Sequence, residues 1–475
     1  MAETTDTGAW LAPAADVAAV ARLLGRPPAG AFTVVVRDRD GGPVVIRNDP
    51  LLFDGTPMPT RYWLVGRRER EAVGRLESTG GVRAAESSVP PAELAAAHDR
   101  YAAERDAALP ASHAGRRPSG GVGGTRRGVK CLHAHLAWYL AGGGDPVGRW
   151  VAGQLDGELD GTVAAIDCGT NSTRLLVADR CGRPLERRMT ITRLGEGVDR
   201  TGELAEGALA RTLAVLAEYR RVVDAFGVVR LRASATSAAR DARNATELFD
   251  AAEAVLGVRL ELLEGAEEGR IAYAGATAEL DPQAGPYLVV DLGGGSTELV
   301  AGAPGAAAVP AAVVSLDIGC VRLTERFLAS DPPTAAELAV ARAEVGSLVD
   351  AALEARPALA VPRRMVGVAG TISTLVAIHL GLDGHERGPL HHVRLDRDVV
   401  EALLASLAAE PLERRRERVG LEPARADVIV GGAVVLAETM ARLGHDELVS
   451  SESDILDGLV AELLRPAPGP RGAGR

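Results

Sequence analysis

One pattern occurs twice in this chain and limits its architecture more than any other. Val163–Arg174 reads V-A-A-I-D-C-G-T-N-S-T-R, and Leu288–Val300 reads L-V-V-D-L-G-G-G-S-T-E-L-V. Each is an apolar strand ending in Asp, then a turn rich in Gly and hydroxyl residues, then a second strand. Asp167 and Asp291 stand 124 residues apart. A unit repeated at that distance predicts two copies of one subdomain facing each other across a cleft. The turns are Gly169, Thr170, Asn171, Ser172 and Gly293, Gly294, Gly295, Ser296, Thr297. Glycine-rich turns leave backbone N–H groups free and let a phosphate approach closely. Ser172, Ser296 and Thr297 add hydroxyl donors, while Asn171 and Arg174 are placed to reach a terminal phosphate. Asp167, Asp291 and Glu298 offer the oxygen ligands that Mg²⁺ or Mn²⁺ prefers. Two plain β-hairpins are the structural alternative, and the duplication weighs against it.

The surrounding pattern agrees with an α/β fold. Strands are expected at Val163–Ile166, Arg174–Ala178, Arg187–Thr192, Val228–Ala233, Leu260–Leu263, Tyr287–Val290 and Leu299–Ala301. Helices are expected at Ala205–Phe226, Thr246–Leu256 and Glu267–Leu280. After Ser330 the chain reads as mostly helical (Thr334–Ala355, Ile372–Leu380, Arg397–Ala408, Val428–Leu443), with a strand at Met365–Val368 before Gly370. The net charge of −11 is uneven. Residues 1–150 carry 19 basic and 16 acidic side chains, and residues 151–475 carry 34 and 48. The larger part is therefore no general polyanion binder, and no nucleic-acid partner is expected. Cys131, Cys168, Cys181 and Cys320 show no disulfide framework, which suits a reducing compartment. Without an apolar leader or a stretch of about 20 apolar residues, a cytoplasmic protein with no membrane partner is expected.

Six or more motifs in order make the chain similar to the exopolyphosphatase and guanosine-pentaphosphate phosphohydrolase family over roughly residues 162–464. A-A-I-D-C-G-T-N-S-T-R-L-L-V-A-D resembles its first phosphate motif and V-V-D-L-G-G-G-S-T-E-L-V its second. A-T-S-A-A-R-D-A-R-N-A (Ala235–Ala245) and L-L-E-G-A-E-E-G-R-I-A-Y (Leu262–Tyr273) match between them. S-L-D-I-G-C-V-R-L-T-E, V-G-V-A-G-T-I-S-T-L, R-A-D-V-I-V-G-G-A and S-E-S-D-I-L-D-G-L follow. The resemblance implies an actin-like (ribonuclease H-like) two-domain ATPase fold and release of a terminal phosphate. It implies that Glu268 is the general base on water and that Arg240 contacts phosphate. On residue type alone, Glu267 and Glu268 are two acids favouring a helix start. Arg243 reads as structural and Arg322 as a weaker phosphate candidate. Gly370 and Thr371 resemble the third glycine turn, where nucleotide-binding relatives hold adenosine. The chain matches the short form, without the helical C-terminal extension of longer members; His445-Asp446 is a lone dipeptide rather than a metal site.

The N-terminal third resembles an uncharacterised bacterial domain (domain of unknown function 501) usually encoded beside exopolyphosphatases, through R-Y-W-L-V-G and P-A-S-H-A-G-R-R-P-S-G-G-V-G-G-T-R-R-G-V-K-C-L-H-A-H. It is expected as a small α+β domain. A hairpin is expected around Asp40-Gly41-Gly42, a strand at Arg61–Val65, and helices at Ala14–Leu24, Pro91–Leu109 and Leu132–Ala141. Ser119–Gly124 with Arg126, Arg127 and Lys130 is a basic glycine loop, either phosphate-binding or merely flexible. Cys131, His133 and His135 would share a face on a strand and bind Zn²⁺; on the expected helix, His133 points away from the other two. Arg61, Arg67, Arg68, Arg70 and Arg75 form a basic cluster, by default a solvated face. His391-His392 reads as a solvated pair and Cys168 as packing rather than a nucleophile.

The expected division is 14–150 for the α+β domain, 151–161 for a linker, and 162–287 and 288–465 for the two phosphatase subdomains. Residues 1–12 and 466–475 are expected as loose tails. The expected activity is metal-dependent hydrolysis of inorganic polyphosphate. Guanosine pentaphosphate is the alternative substrate, a non-catalytic alarmone sensor the alternative of another class, and a homodimer the expected assembly.

Overall fold

The computed structural model describes residues 12–465, apart from 39, 156–158, 160, 305–308 and 383–386. The expected C-terminal tail and nearly all of the N-terminal one lie outside these residues. A small antiparallel sheet comes first: β1 (Phe32–Arg37), β2 (Pro43–Asn48) and β3 (Tyr62–Leu64) in that order. The next strands are β4 (Val163–Cys168), β5 (Ser172–Ala178), β6 (Pro184–Ile191), β7 (Arg230–Ala235) and β8 (Glu261–Leu262). They form one sheet in the order β6-β5-β4-β7-β8. The last are β9 (Tyr287–Leu292), β10 (Thr297–Gly302), β11 (Ala312–Leu316), β12 (Arg364–Val368), β13 (Arg394–Asp396) and β14 (Glu447–Ser450). They form a third sheet in the order β11-β10-β9-β12-β14-β13.

The second and third sheets repeat one topology. In each, the first strand is central, two antiparallel hairpin partners lie on one side, and a parallel strand lies on the other. β4 and β9 are buried along their whole length, which is why both read as unbroken apolar runs. The register repeats as well: Asp167 faces Arg174 across β4 and β5, and Asp291 faces Glu298 across β9 and β10. The copies thus differ at one facing position, a cation in the first and an acid in the second. β6 closes the edge of its sheet with Glu186, Arg187 and Arg188, charges that discourage further strand pairing.

Helices cover both sheets. Glu206–Ala225 and Ala245–Leu256 pack on the outer face of the second sheet through Leu216, Val223, Leu248 and Ala252. Ala335–Ala355, Arg397–Ala409 and Ile429–Leu443 build the larger core on the outer face of the third. Helix Gly265–Ala276 lies between the sheets. Ile271 and Ala272 pack toward β4 and β5, whereas Tyr273 and Ala276 pack toward β9, β10 and β12. The last helix, Ile455–Leu463, also crosses back, seating Ile455, Leu459 and Leu463 against Val163, Ala165 and Leu176. The expected bounds put this helix in the 288–465 subdomain, and its apolar side chains pack on β4 and β5.

Most expected elements form, with ends shifted by a few residues. β11, β13, β14 and the helices Cys320–Phe327 and Ile455–Leu463 were not expected. β13 and β14 have three and four residues, too few to show a period. In the N-terminal third, helices Arg67–Ser78, Gly81–Ser88 and Pro146–Gln154 were also not expected. Pro146–Gln154 runs into the expected linker, and Val151, Ala152, Leu155 and Leu159 join the N-terminal core. That core includes Val229, which precedes β7. Tyr139 Oη donates to the Val228 carbonyl at 2.6 Å, and Arg149 pairs with Asp224 at 3.2 Å. The N-terminal third is therefore docked against the end of helix Glu206–Ala225.

Candidate active site

The two glycine turns meet where the sheets face each other. Both close with the same hydrogen bond: Gly169 N–H to Ser172 O and Gly293 N–H to Ser296 O, each 3.0 Å. They touch so closely that a Cβ on Gly294 would lie 2.9 Å from Thr170 Cβ. One on Gly295 would lie 2.5 Å from Ser237 Oγ. Only glycine fits at these two points. The cleft has a volume of about 70 Å³, and Gly169 to Ser172 and Gly293 to Ser296 line it with Asp167, Arg174, Glu268 and Asp291. The Asn171 side-chain amide is buried and its Nδ2 has no hydrogen-bond partner among the described residues. A buried donor left unmade is costly, and a bound oxyanion would satisfy it.

The acids arrive from four elements. Asp167, at the end of β4, accepts from Arg174 at 2.7 and 3.3 Å and from Ser234 Oγ at 3.3 Å. Arg174 also donates to Asp454 Oδ2 at 2.5 Å, tying the cap of the last helix to the first turn. Glu268 lies in the first turn of Gly265–Ala276. Its Oε2 accepts from Arg240 Nη1 at 2.7 Å, and the same nitrogen donates to Leu263 O at 2.6 Å. Burial raises the Glu268 carboxyl to about 7 against the pull of Arg240, with Asp167 and Asp291 pushing the same way. Burial likewise raises Asp291 to about 7, opposed by Arg174 and reinforced by Asp454 and Asp167. Glu298 is raised well above the usual carboxylate range by burial and then by Glu268 and Asp291, although Ser315 Oγ donates to it at 2.7 Å.

A hard cation fits this set. Every donor is an oxygen, and buried acids with raised pKa values are relieved by a nearby positive charge. Among the described residues, no three of these carboxylates have ligand atoms within 4.8 Å of one another. Asp167, Asp291 and Glu298 therefore form no closed cage. Mg²⁺, which keeps several waters and takes one or two carboxylates beside phosphate oxygens, suits the arrangement better than an ion needing an all-protein shell.

Several expected roles change. Thr297 is fully buried and its hydroxyl donates to Ile318 O at 2.6 Å, so it fixes the turn and leaves phosphate to others. Arg240, expected to contact phosphate, is paired with Glu268 at 2.7 Å. Arg322 pairs with Asp241 and Asp199 behind the cleft. Arg243 pairs with Glu203 at 3.0 Å near the surface. Gly370 and Thr371 line the cleft. Arg425, Asp454 and Ser237 were not singled out in the sequence. Arg425 and Ser237 line the cleft, and Asp454 holds Arg174. Arg425 and Asp454 lie in motifs noted above, but nothing local marks Asp454, which acts through a partner 280 positions away.

The N-terminal candidates also separate. The amides of Gly121, Val122 and Gly124 are spent on Thr125 O, His98 Nδ1 and Gly121 O, so the Ser119–Gly124 loop is packed rather than a phosphate cradle. Arg61 is buried against Glu104, apart from Arg67, Arg68, Arg70 and Arg75, which share helix Arg67–Ser78; Arg67 pairs there with Glu71. His135 is fully buried on Asp145 at 2.7 Å, whereas His133 lies beside Cys131 at 3.7 Å, the reverse of the expected grouping. His391 is not simply solvated: it bridges Glu279 Oε2 at 2.9 Å and the Glu452 N–H at 3.0 Å. Cys168 is fully buried, which pushes its thiol pKa up and removes it as a nucleophile.

Comparison with known proteins adds independent findings. The profile of the Ppx/GppA phosphatase family matches residues 177–466. That of a protein family of unknown function (DUF501) matches residues 34–153. Exopolyphosphatase 2 of Mycobacterium tuberculosis is 41% identical over 317 residues, covering 63% of this chain and 98% of its own. Exopolyphosphatase 1 of the same organism is 29% identical, over 64% of this chain and 88% of its own. Among solved structures, an exopolyphosphatase-like protein superposes with a TM-score of 0.59 at 38% identity, covering 63% of this chain and 98% of its own. The Ppx/GppA enzyme of Aquifex aeolicus gives 0.54 at 33% identity, covering 63% and 99%.

Proposed function

From the premise that this chain belongs to the Ppx/GppA phosphatase family, hydrolases of phosphoric anhydrides on an actin-like fold, we propose that it is a divalent-metal-dependent exopolyphosphatase. The observation that carries the proposal is Glu268, buried, raised to about 7 and held by Arg240 beside two opposed glycine turns. A carboxylate poised near neutral pH at a phosphate-sized cleft is suited to take a proton from water. The free amides of the two turns and the unpartnered Asn171 amide bind the terminal phosphate and receive charge as the anhydride bond breaks. Arg240 fixes the Glu268 carboxylate, and Arg174 holds the Asp167 carboxylate at the cleft edge. Asp291 and Glu298 are the residues that would hold Mg²⁺, which when bound would supply positive charge to the phosphate oxygens.

One observation favours guanosine pentaphosphate as a second substrate. A larger cavity of about 500 Å³ adjoins the cleft and shares Arg174, Gly370 and Arg425 with it. Its wall sets Met189, Leu390 and Leu456 beside Ser373 and Glu452, a mixed surface suited to a nucleoside. Phosphate release with Mg²⁺ should be measured in parallel on short polyphosphate, long polyphosphate and guanosine pentaphosphate. Faster turnover of polyphosphate supports the first reading, and preference for the nucleotide replaces it with the second. Tight binding without turnover of any substrate would favour the sensor alternative.

A further inference from the structure

A second cluster lies in the N-terminal third, in chemistry that the phosphatase reading does not use. Glu77, in the last turn of helix Arg67–Ser78, meets Cys131 and His133 at the start of helix Leu132–Leu140. One ligand atom from each lies within 4.8 Å of the other two. His133 Nδ1 is 3.7 Å from Cys131 Sγ and 3.3 Å from Glu77 Oε1. With Zn–N and Zn–O near 2.0 Å and Zn–S near 2.3 Å, a tetrahedral ion sets N···S about 3.5 Å and N···O about 3.3 Å apart. The observed separations are thus close to two edges of a zinc tetrahedron.

The proton inventory points the same way. His133 Nε2 lies 3.2 Å from the Arg70 carbonyl, which can only accept. In the neutral ring that bond puts the proton on Nε2 and leaves the Nδ1 lone pair toward the acid and the sulfur. A histidine ligand is commonly oriented in this way by a backbone carbonyl on its far nitrogen. A nucleophilic relay would be built differently, with the thiol on one ring nitrogen and the orienting acid on the other. Here both converge on Nδ1. Glu77 Oε1 also accepts the Leu132 N–H at 2.6 Å, so the acid is already anchored. The three side chains are partly exposed, which gives an ion a way in.

We propose that Glu77, Cys131 and His133 form a binding site for a zinc-class divalent cation, joining the end of one helix to the start of another. Thiolate, carboxylate and neutral imidazole balance the two charges of the ion. Three protein ligands leave a fourth position for water or an exogenous ligand.

The test uses the full chain, stripped with chelator, kept reduced, and supplied with excess Mg²⁺. Cobalt(II) is then titrated in place of zinc. The expected result is one equivalent bound, with a thiolate-to-cobalt absorption band in the near ultraviolet. The band should vanish in Cys131→Ser and persist in Cys181→Ser. Binding should weaken roughly 100-fold or more in His133→Gln and Glu77→Gln, beyond the usual effect of losing an outer hydrogen bond. Gln at 77 can still accept the Leu132 N–H, so that variant isolates the ligand role from the cap. Far-ultraviolet circular dichroism checks that each variant folds. The Glu279, His391, His392 cluster contains no thiol and cannot produce the band. Absence of a thiolate band in the folded wild-type protein, or its survival in Cys131→Ser, would overturn the proposal.

Discussion

Glu268 is the residue on which the chemistry turns, and its surroundings set opposing demands. Burial raises its pKa, while the Arg240 contact lowers it and aims the carboxylate. Glu268→Gln keeps the shape and removes the base. It should lower kcat by about 10²- to 10⁴-fold with little change in KM, read from phosphate release. Arg240→Gln should act through the same carboxylate. Without the cation the Glu268 pKa rises further, so the acid limb of the pH–rate profile should move to higher pH. An unchanged limb would assign Arg240 to the phosphate instead. The sequence discloses the paired turns because each is local and written in Asp, Gly and Ser. It does not disclose that Arg174 is held by Asp454, which comes from a distant helix cap. It also misleads at Cys131: that residue is extended, with φ −158°, and precedes the helix, so helical spacing does not relate it to His133.

At the level of elements, the repeated hairpin explains why the site lies where it does. Each copy brings an Asp to the same point of an equivalent sheet, and the one exchanged facing position, Arg174 against Glu298, makes the two halves unlike. The first half carries a neutralised acid and the second an acid pair suited to a cation. Helix Gly265–Ala276 carries Glu268 into the gap, and its contact with Ile455–Leu463 is what holds it there. A Cβ at Gly458 would lie 2.1 Å from Ile271 O, and one at Gly275 would lie 2.0 Å from Asp454 O. Gly458→Ala should therefore cost about 1–3 kcal/mol in a denaturant melt. It should also reduce kcat by shifting the helix that bears Glu268. The sequence shows the alternation of strands and helices. It does not show the return of the last helix, because an amphipathic pattern specifies an apolar face but not the sheet that receives it.

Across the whole molecule, the two facing sheets and the helices between them bring buried acids together at one cleft. Burial raises Asp291 and Glu268 to about 7, and it raises Glu298 well above its ordinary value. Their ordinary values are 3.8 and 4.5, so the folded protein holds more protons than the unfolded chain between these limits. Without divalent cation their contribution is complete below about pH 4 and is lost as pH rises through about 7. Thermal melts of the stripped protein should show Tm falling across this window, and Mg²⁺ should raise Tm more at about pH 8 than at about pH 6. A Tm that rises with pH in the stripped protein would mean that the acids are not buried together.

The central claim is that water, activated by Glu268 in the cleft between the two turns, attacks the terminal phosphorus of a phosphoric anhydride. The most direct measurement is hydrolysis of short polyphosphate in heavy-oxygen water with Mg²⁺, comparing wild type with Glu268→Gln, and mass analysis of the phosphate released. The account predicts one solvent oxygen in each phosphate released in the first turnover, and a variant that binds the substrate but releases almost none. Equal release by the variant, or label retained on the shortened chain instead of the departing phosphate, would contradict it.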